Sequence, residues 1–203
     1  QEAYDKVHGK DLRLSPPKAP ERLRELNTYK KATRQDIIAR SDTRVEESLL
    51  LELSQKITSL PSEFTVHPKL KKIYEKRHES FRVEKKVDWA FAELLSFASL
   101  AQEGHPVRLS GQDCKRGTFS SRHAVIFDYE TAKPYEPLNS FGGAPVKIVN
   151  SPLSEAACLG FEFGYSVSKP RALVLWEAQF GDFANGAQII IDQFLASSEA
   201  KWQ

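Results

Sequence analysis

Asn150-Ser-Pro-Leu-Ser-Glu-Ala-Ala-Cys-Leu-Gly-Phe-Glu-Phe-Gly-Tyr165 and, soon after it, Leu175-Trp-Glu-Ala-Gln-Phe-Gly-Asp-Phe-Ala-Asn-Gly-Ala-Gln188 decide the reading of this chain. The first block predicts an apolar helix over residues 153–165, entered from the short strand Val146-Lys-Ile-Val149. Ser151 before Pro152 predicts an N-cap followed by proline at the first helical position, which puts Glu155 in the first turn. Between the blocks, Ala172-Leu-Val-Leu-Trp176 predicts a further strand, and residues 182–196 predict a closing helix. Working back towards the N-terminus, Ala124-Val-Ile-Phe127 and Pro106-Val-Arg-Leu-Ser110 predict two more strands. Residues 87–101 are apolar nearly all round and predict a helix buried on a sheet. Strands alternating with helices predict an α/β domain with a largely parallel sheet flanked by helices. Ligands of such sheets lie beyond the carboxyl ends of the strands, so the loops after Leu109, Val149 and Trp176 are where chemistry is expected.

Upstream the pattern changes. Val45, Leu49, Leu50, Leu53 and Ile57 have helical spacing, and Pro61 ends that helix. Residues 67–77 predict a second, shorter amphipathic helix whose basic run forms a solvated outer face. The first 40 residues are polar and basic around Ser15-Pro-Pro-Lys-Ala-Pro20, where the prolines forbid helix. The chain is therefore read as an extended connector over 1–40, a helical connector over 41–84 and the α/β domain over 85–203.

Composition narrows the function classes. With 29 basic and 27 acidic residues the formal net charge is +2, which is no footprint for nucleic acid or an anionic membrane. No apolar run approaches the roughly 20 residues of a membrane span. Cys114 and Cys158 have no metal-ligand spacing and fit a reducing compartment better than a disulfide framework. Phosphate-loop, dinucleotide, zincin and serine-hydrolase motifs are absent, and no metal ligands are assigned. The chain starts at Gln1 and holds no methionine, so it is read as an internal piece of a longer protein, with processing as the alternative.

Glu155 taken alone complements a helix dipole. Its setting adds a second reading, because an otherwise apolar helix that starts at the end of a buried strand desolvates a carboxylate. Phe180, Phe183 and Phe194 taken alone are core residues. A carboxylate beside a flat aromatic surface, however, suits the aminopyrimidine ring of thiamine diphosphate. Gly160 and Gly164, four apart, are expected to allow close packing on the sheet. The loop Gly117-Thr-Phe-Ser-Ser-Arg-His123 offers Arg122 and His123, a pair that suits a carboxylate-bearing substrate or serves structure.

Several segments resemble the thiamine-dependent first component of the 2-oxoglutarate dehydrogenase complex. They are Val107-Arg-Leu-Ser-Gly-Gln-Asp113, Arg116-Gly-Thr-Phe119, Arg122-His-Ala-Val125, Pro152-Leu-Ser-Glu155, Phe161-Glu-Phe-Gly-Tyr165, the block from Trp176 to Gln188, and Ile191-Asp-Gln-Phe194. Phe64-Thr-Val-His-Pro-Lys-Leu70 and Asp88-Trp89 with Ala92-Glu93 extend the likeness, which runs over residues 44–203. The resemblance implies a transketolase-like pyrimidine-binding module over 85–203, incomplete at its carboxyl end, with Trp89, Phe97 and Phe194 poorly covered. It implies that Glu155 touches the ring nitrogen and shares its proton, that Phe183 stacks on the ring, and that His123 helps form the substrate pocket.

Catalytic roles thus fall to Glu155 and His123, and substrate binding to Arg122 and His123. Leu153 and Gln179, in the same blocks, join Glu155 and Phe183 as cofactor-binding candidates. Many members carry histidine at the position of Ser121, which leaves that position without a role. The family's Gly-Asp-Gly magnesium element is not in the sequence, so Mg2+ is expected on a module absent from this chain. The resemblance further implies a homodimer, a lipoyl-bearing succinyltransferase partner, 2-oxoglutarate as substrate, and oxidative decarboxylation with succinyl transfer in the tricarboxylic acid cycle. The expected location is a bacterial cytoplasm, or a mitochondrial matrix in a eukaryote, and the piece alone is expected to be inactive. Two alternatives stay open: a catalytically silent dimerisation or regulatory relative, and a dehydrogenase for another 2-oxo acid such as 2-oxoadipate.

Overall fold

A computed structural model describes residues 32–201. The chain divides into two units, residues 1–39 and 40–203. Most of the predicted extended connector, including its prolines, lies outside the described residues. What is described of the first unit is not extended but a short helix, α1 (Arg34–Ile38). Thr33 accepts from the Asp36 amide, and the Asp36 carboxylate accepts in return from the Thr33 amide at 2.7 Å, closing a capping box.

In the second unit α2 (Glu47–Thr58) buries Leu53, Ser54 and Ile57, the face that the spacing predicts. His67 caps α3 (Pro68–Glu79), with Pro68 supplying its first position. A π-helical turn, Ser80–Glu84, continues α3 and is stopped by Lys85 in the left-handed region. Asp88 caps α4 (Trp89–Gln102) by accepting from the Phe91 amide at 2.6 Å. This helix buries Phe91, Leu94, Leu95, Phe97, Ala98 and Ala101, as its all-round apolarity predicts. Trp89 is 93% exposed and Phe194 37% exposed, as expected, whereas Phe97 is fully covered, which corrects that expectation.

The strands β1 (Val107–Gly111), β4 (Val146–Asn150) and β5 (Leu173–Glu177) form a parallel main sheet in the order β4-β1-β5, and all five β1 residues are buried. Register pairs Gly111 with both Asn150 and Glu177, so all three strands end level. The core joins Leu53 and Ile57 of α2 and the inner face of α4 to Val107, Leu109, Val146 and Ile148. Between β1 and β4 the chain makes β2 (Ile126–Phe127) and β3 (Pro134–Tyr135), a two-residue antiparallel ribbon separate from the main sheet. The strand expected over 124–127 is therefore short and outside the parallel sheet. The buried Asp128 explains why the chain leaves the extended path there. Its carboxylate accepts from the amides of Glu130 (3.0 Å), Thr131 (2.7 Å) and Thr65 (2.7 Å), forming a turn tied to the upstream segment.

After β4, the helix α5 (Glu155–Ser168) is capped by Ser154, not by Ser151, and Glu155 is its first residue. Pro152 stays outside, in a turn closed by the Ser154 amide to the Pro152 carbonyl at 3.0 Å. Gly164 has open space where a Cβ would stand and Gly160 faces the Ile190 side chain, so neither makes the expected close approach to the sheet. Arg108 of β1 and Glu162 of α5 form a buried two-point ion pair at 2.7 and 2.8 Å, with the guanidinium over the rings of Phe161 and Tyr165. The closing helix expected over 182–196 is broken into a 3-10 turn (Gly181–Ala187), one α-turn (Gln188–Ile190) and a π-helical turn (Ile191–Leu195). Glycines at 181 and 186 and Asn185 weaken a regular helix there. A last turn covers Ser198–Lys201. Both cysteines are free and buried; the Cys114 thiol donates to the Val149 carbonyl at 3.0 Å, and burial pushes its pKa up to about 11.

Asp128 makes the fold acid-sensitive. The Thr131 amide, then the amides of Thr65 and Glu130, hold its pKa down to about 2, against an ordinary 3.8. A depressed native pKa stabilises the fold above the unfolded value, and the effect disappears as pH falls from there towards 2. Asp128→Asn turns an NH2 group towards one of these donors. The melting temperature of the variant should lie well below that of the parent at pH 6, with the gap narrowing below about pH 4 and closing towards pH 2. A gap independent of pH would show that the charge is not what Asp128 contributes.

Candidate functional site

Because β1, β4 and β5 end level, the segments leaving them gather at one edge. A small cleft there is lined by Gln112 after β1, by Ser151, Pro152, Ser154 and Glu155 after β4, and by Trp176 to Gln179 at the end of β5. These are the three loops singled out by the rule for parallel sheets. Glu155 is half-buried, and its Oε1 lies 3.4 Å from the Gln112 amide nitrogen. Its other oxygen faces Gly186, where an added Cβ would come within 3.2 Å of Oε2. The turn Gly181–Ala187 thus lies close against the start of α5, and a side chain at 186 would push the Glu155 carboxylate aside by a few tenths of an ångström. That turn carries Phe183, which brings the aromatic residue and the carboxylate into one neighbourhood.

Phe183 is 43% exposed and meets Phe180 edge-on at 5.8 Å; Phe180 meets Phe119 in the same way at 6.0 Å. These rings form an open aromatic surface and not core. Leu153 is 82% exposed and lies before α5, not within it. Gln179 lines the cleft, and its carbonyl accepts from the Thr118 hydroxyl at 3.5 Å, linking the loop of residues 117–123 to the end of β5.

That loop is unusual in its backbone. Phe119, Ser120 and His123 all have positive φ (58°, 58° and 52°), and so does Gly117 at 81°. A Cβ on Gly117 would come within 2.8 Å of the Arg122 amide nitrogen, so this turn requires glycine. The Arg122 side chain is turned inward. It meets Glu93 of α4 at 2.5 Å, the Cys114 carbonyl at 2.8 Å and Glu177 at the end of β5 at 2.7 Å. Of the two readings of Arg122, substrate binding and structure, its placement fits the second, a buried tie between α4, the β1 loop and β5. His123 is half-buried, and its Nε2 is buried with no hydrogen-bond partner among the described residues. Burial, and then the nearby Arg77 guanidinium, hold its pKa below the ordinary value.

Sequence reasoning missed Gln112, Gly186, Phe119, Glu93 and Glu177. Gln112 and Glu177 lie in or beside the singled-out loops, and that placement was the signal available for them. Gly186 and Glu93 are brought in by packing alone. Among the described residues no three His, Cys, Asp or Glu side chains gather as a metal site.

The half-buried carboxylate, the adjoining amide and the open aromatic surface fit one face of an aminopyrimidine ring. The carboxylate can hold a ring-nitrogen proton, and the amide can orient that carboxylate.

Residues 85–203 match the family model described as transketolase, pyrimidine binding domain. The chain is 52% identical over 165 residues to the protein named 2-oxoglutarate dehydrogenase E1 component of Brucella canis, and equally to that of Brucella suis. It is 52% identical over 162 residues to the Brucella ovis protein of the same name. The matches cover 80% of this chain in the first two and 79% in the third, but only 16% of each relative's length. With a parallel α/β sheet, an acid at the strand-to-helix junction and a family match across that whole region, the chain belongs to the transketolase pyrimidine-binding domains.

Proposed function

We propose that this chain is the pyrimidine-holding half of the thiamine diphosphate site in a 2-oxoglutarate dehydrogenase first component. The observation that carries the reading is Glu155, the first residue of α5, held between the Gln112 amide and side-chain-free Gly186 beside the aromatic turn of Phe183. When bound, the cofactor supplies the electron sink for decarboxylating a 2-oxo acid. The residues of this chain orient and exclude. Glu155 shares a proton with the ring nitrogen, Gln112 fixes the carboxylate rotamer, and Phe183 presents an apolar face to the ring. Gln179 borders the same cleft, and Leu153, exposed just before α5, offers an apolar side chain next to Glu155's turn. His123 contributes an imidazole that burial keeps neutral, suited to accept a hydrogen bond or a proton on the substrate side.

Names of the relatives and the family's chemistry support the rest of the proposal. The substrate is 2-oxoglutarate, the succinyl group passes to a lipoyl-bearing acyltransferase, and the work belongs to the tricarboxylic acid cycle. The diphosphate and Mg2+ are held by a separate module, and the site is completed in a homodimer. The Brucella relatives favour a bacterial cytoplasm.

Three measurements test this. In the dehydrogenase that contains this chain, Glu155→Gln should slow proton exchange at the thiazolium carbon at least about a hundredfold, the scale of general acid–base catalysis, with the melting temperature nearly unchanged. Exchange at the parent rate removes Glu155 from the mechanism. Phe183→Ala should weaken thiamine diphosphate binding while leaving the melting temperature of the cofactor-free protein almost untouched. Unchanged affinity with a stability loss of about 3 kcal/mol or more, the signature of a core Phe→Ala, contradicts the stacking role. Calorimetric titration of the 203-residue chain alone with Mg2+ and thiamine diphosphate should give no tight binding; a micromolar Kd for the monomer refutes the half-site.

A further inference from the structure

Helix α3 lies before the residues that match the family domain, and its basic sequence predicts a solvated face. Two of its side chains turn inward instead. Tyr74 is 2% exposed and Arg77 6% exposed. The Tyr74 hydroxyl donates to the His123 carbonyl at 2.6 Å. Arg77 donates through Nη1 to the Arg122 carbonyl at 2.9 Å and through Nη2 to the Ser121 carbonyl at 2.7 Å. Three consecutive carbonyls of the substrate-side loop are thus captured by one helix. The amides of Arg122 and His123 both donate to the Arg116 carbonyl, at 2.9 and 2.8 Å, so the backbone is held from both sides.

The loop needs such restraint. Left-handed backbone at three non-glycine residues is unfavourable and persists only where neighbouring structure fixes it. The helix that supplies the restraint is itself anchored. Arg77 lies over the Phe91 ring and 3.5 Å from Asp88, and His78 Nδ1 meets the Ser54 hydroxyl of α2 at 3.0 Å. The His123 Nε2 is buried without a hydrogen-bond partner among the described residues, and the ring is hydrogen-bonded to the Ser120 backbone, within the same clamped loop.

We infer that Tyr74 and Arg77 are positioning residues for His123: α3 clamps the carbonyls of residues 121–123 and so aims the His123 imidazole. The inference rests on the proposed substrate-side role of His123 for its functional consequence, but not for its geometry.

The test uses Tyr74→Phe, which keeps the buried ring and removes only the clamping hydroxyl, and Arg77→Lys, which keeps the charge and loses the two-carbonyl grip. The first readout is the His123 ring titration in the full chain by NMR, assigned with His123→Gln. Release of the loop exposes the imidazole, so its pKa should rise towards the ordinary value in both variants; the retained charge of Arg77→Lys excludes a purely electrostatic cause. The second readout is made in the dehydrogenase. There KM for 2-oxoglutarate should rise about tenfold for Tyr74→Phe, the scale of one lost hydrogen bond, with cofactor affinity unchanged.

An unchanged His123 titration in both variants overturns the inference, whatever happens to the melting temperature, because a purely structural role lowers stability without moving the ring. If His123→Gln leaves KM unaltered, the substrate-side reading of His123 fails, and the titration alone still decides whether α3 positions the ring.

Discussion

The strand β1 is bonded on both edges, and its register sets where everything else can be. Gly111 pairs with Asn150 on one side and Glu177 on the other, so the three strands end at one level. A Cβ on Gly111 would collide with the Glu177 backbone, which makes glycine the residue that lets β5 close in at this level. Parallel pairing then sends all three outgoing segments to the same edge. The cleft, with Glu155 and the aromatic turn beside it, is a consequence of that alignment.

Buried charge holds the surrounding segments in place. Among the described residues three arginines are turned inward, two towards carboxylates and one towards backbone carbonyls. Arg108 is matched by Glu162 across the sheet–helix interface, Arg122 by Glu93 and Glu177, and Arg77 by backbone carbonyls with Asp88 nearby. A buried guanidinium without partners is unfavourable by several kcal/mol, so each site tolerates few alternative arrangements of its neighbours. Their value is in specifying geometry. Arg122 fixes α4, the β1 loop and β5 relative to one another, while Arg77 fixes the backbone from which His123 projects.

The aromatic residues follow a different logic. Phe119, Phe180 and Phe183 meet edge to face at the surface, whereas Phe91 and Phe97 fill the core between α4 and the sheet. An exposed ring cluster beside a half-buried carboxylate is an arrangement for a flat ligand. In isolation the sequence does not separate these two groups of phenylalanines, because both lie in apolar surroundings along the chain.

Periodicity and punctuation determined a great deal by themselves. The faces of α2 and α4, the three parallel strands, the placement of Glu155 in a first helical turn and the loops that line the cleft were all legible, because each depends on local spacing and on the general rule for parallel sheets. Tertiary structure decided the rest. Ser154 replaced Ser151 as the cap because Pro152 is held in its own turn. Residues 124–127 left the sheet because Asp128 draws three amides around itself. Arg77 was legible only as part of a basic face, and the partners of Arg122 were not legible at all, because a charge reads as solvated until packing shows what encloses it. Contacts between residues 40 or more apart in sequence, such as Tyr74 with His123 or Arg108 with Glu162, leave no periodic trace, so only the folded chain could show that they set the site's geometry.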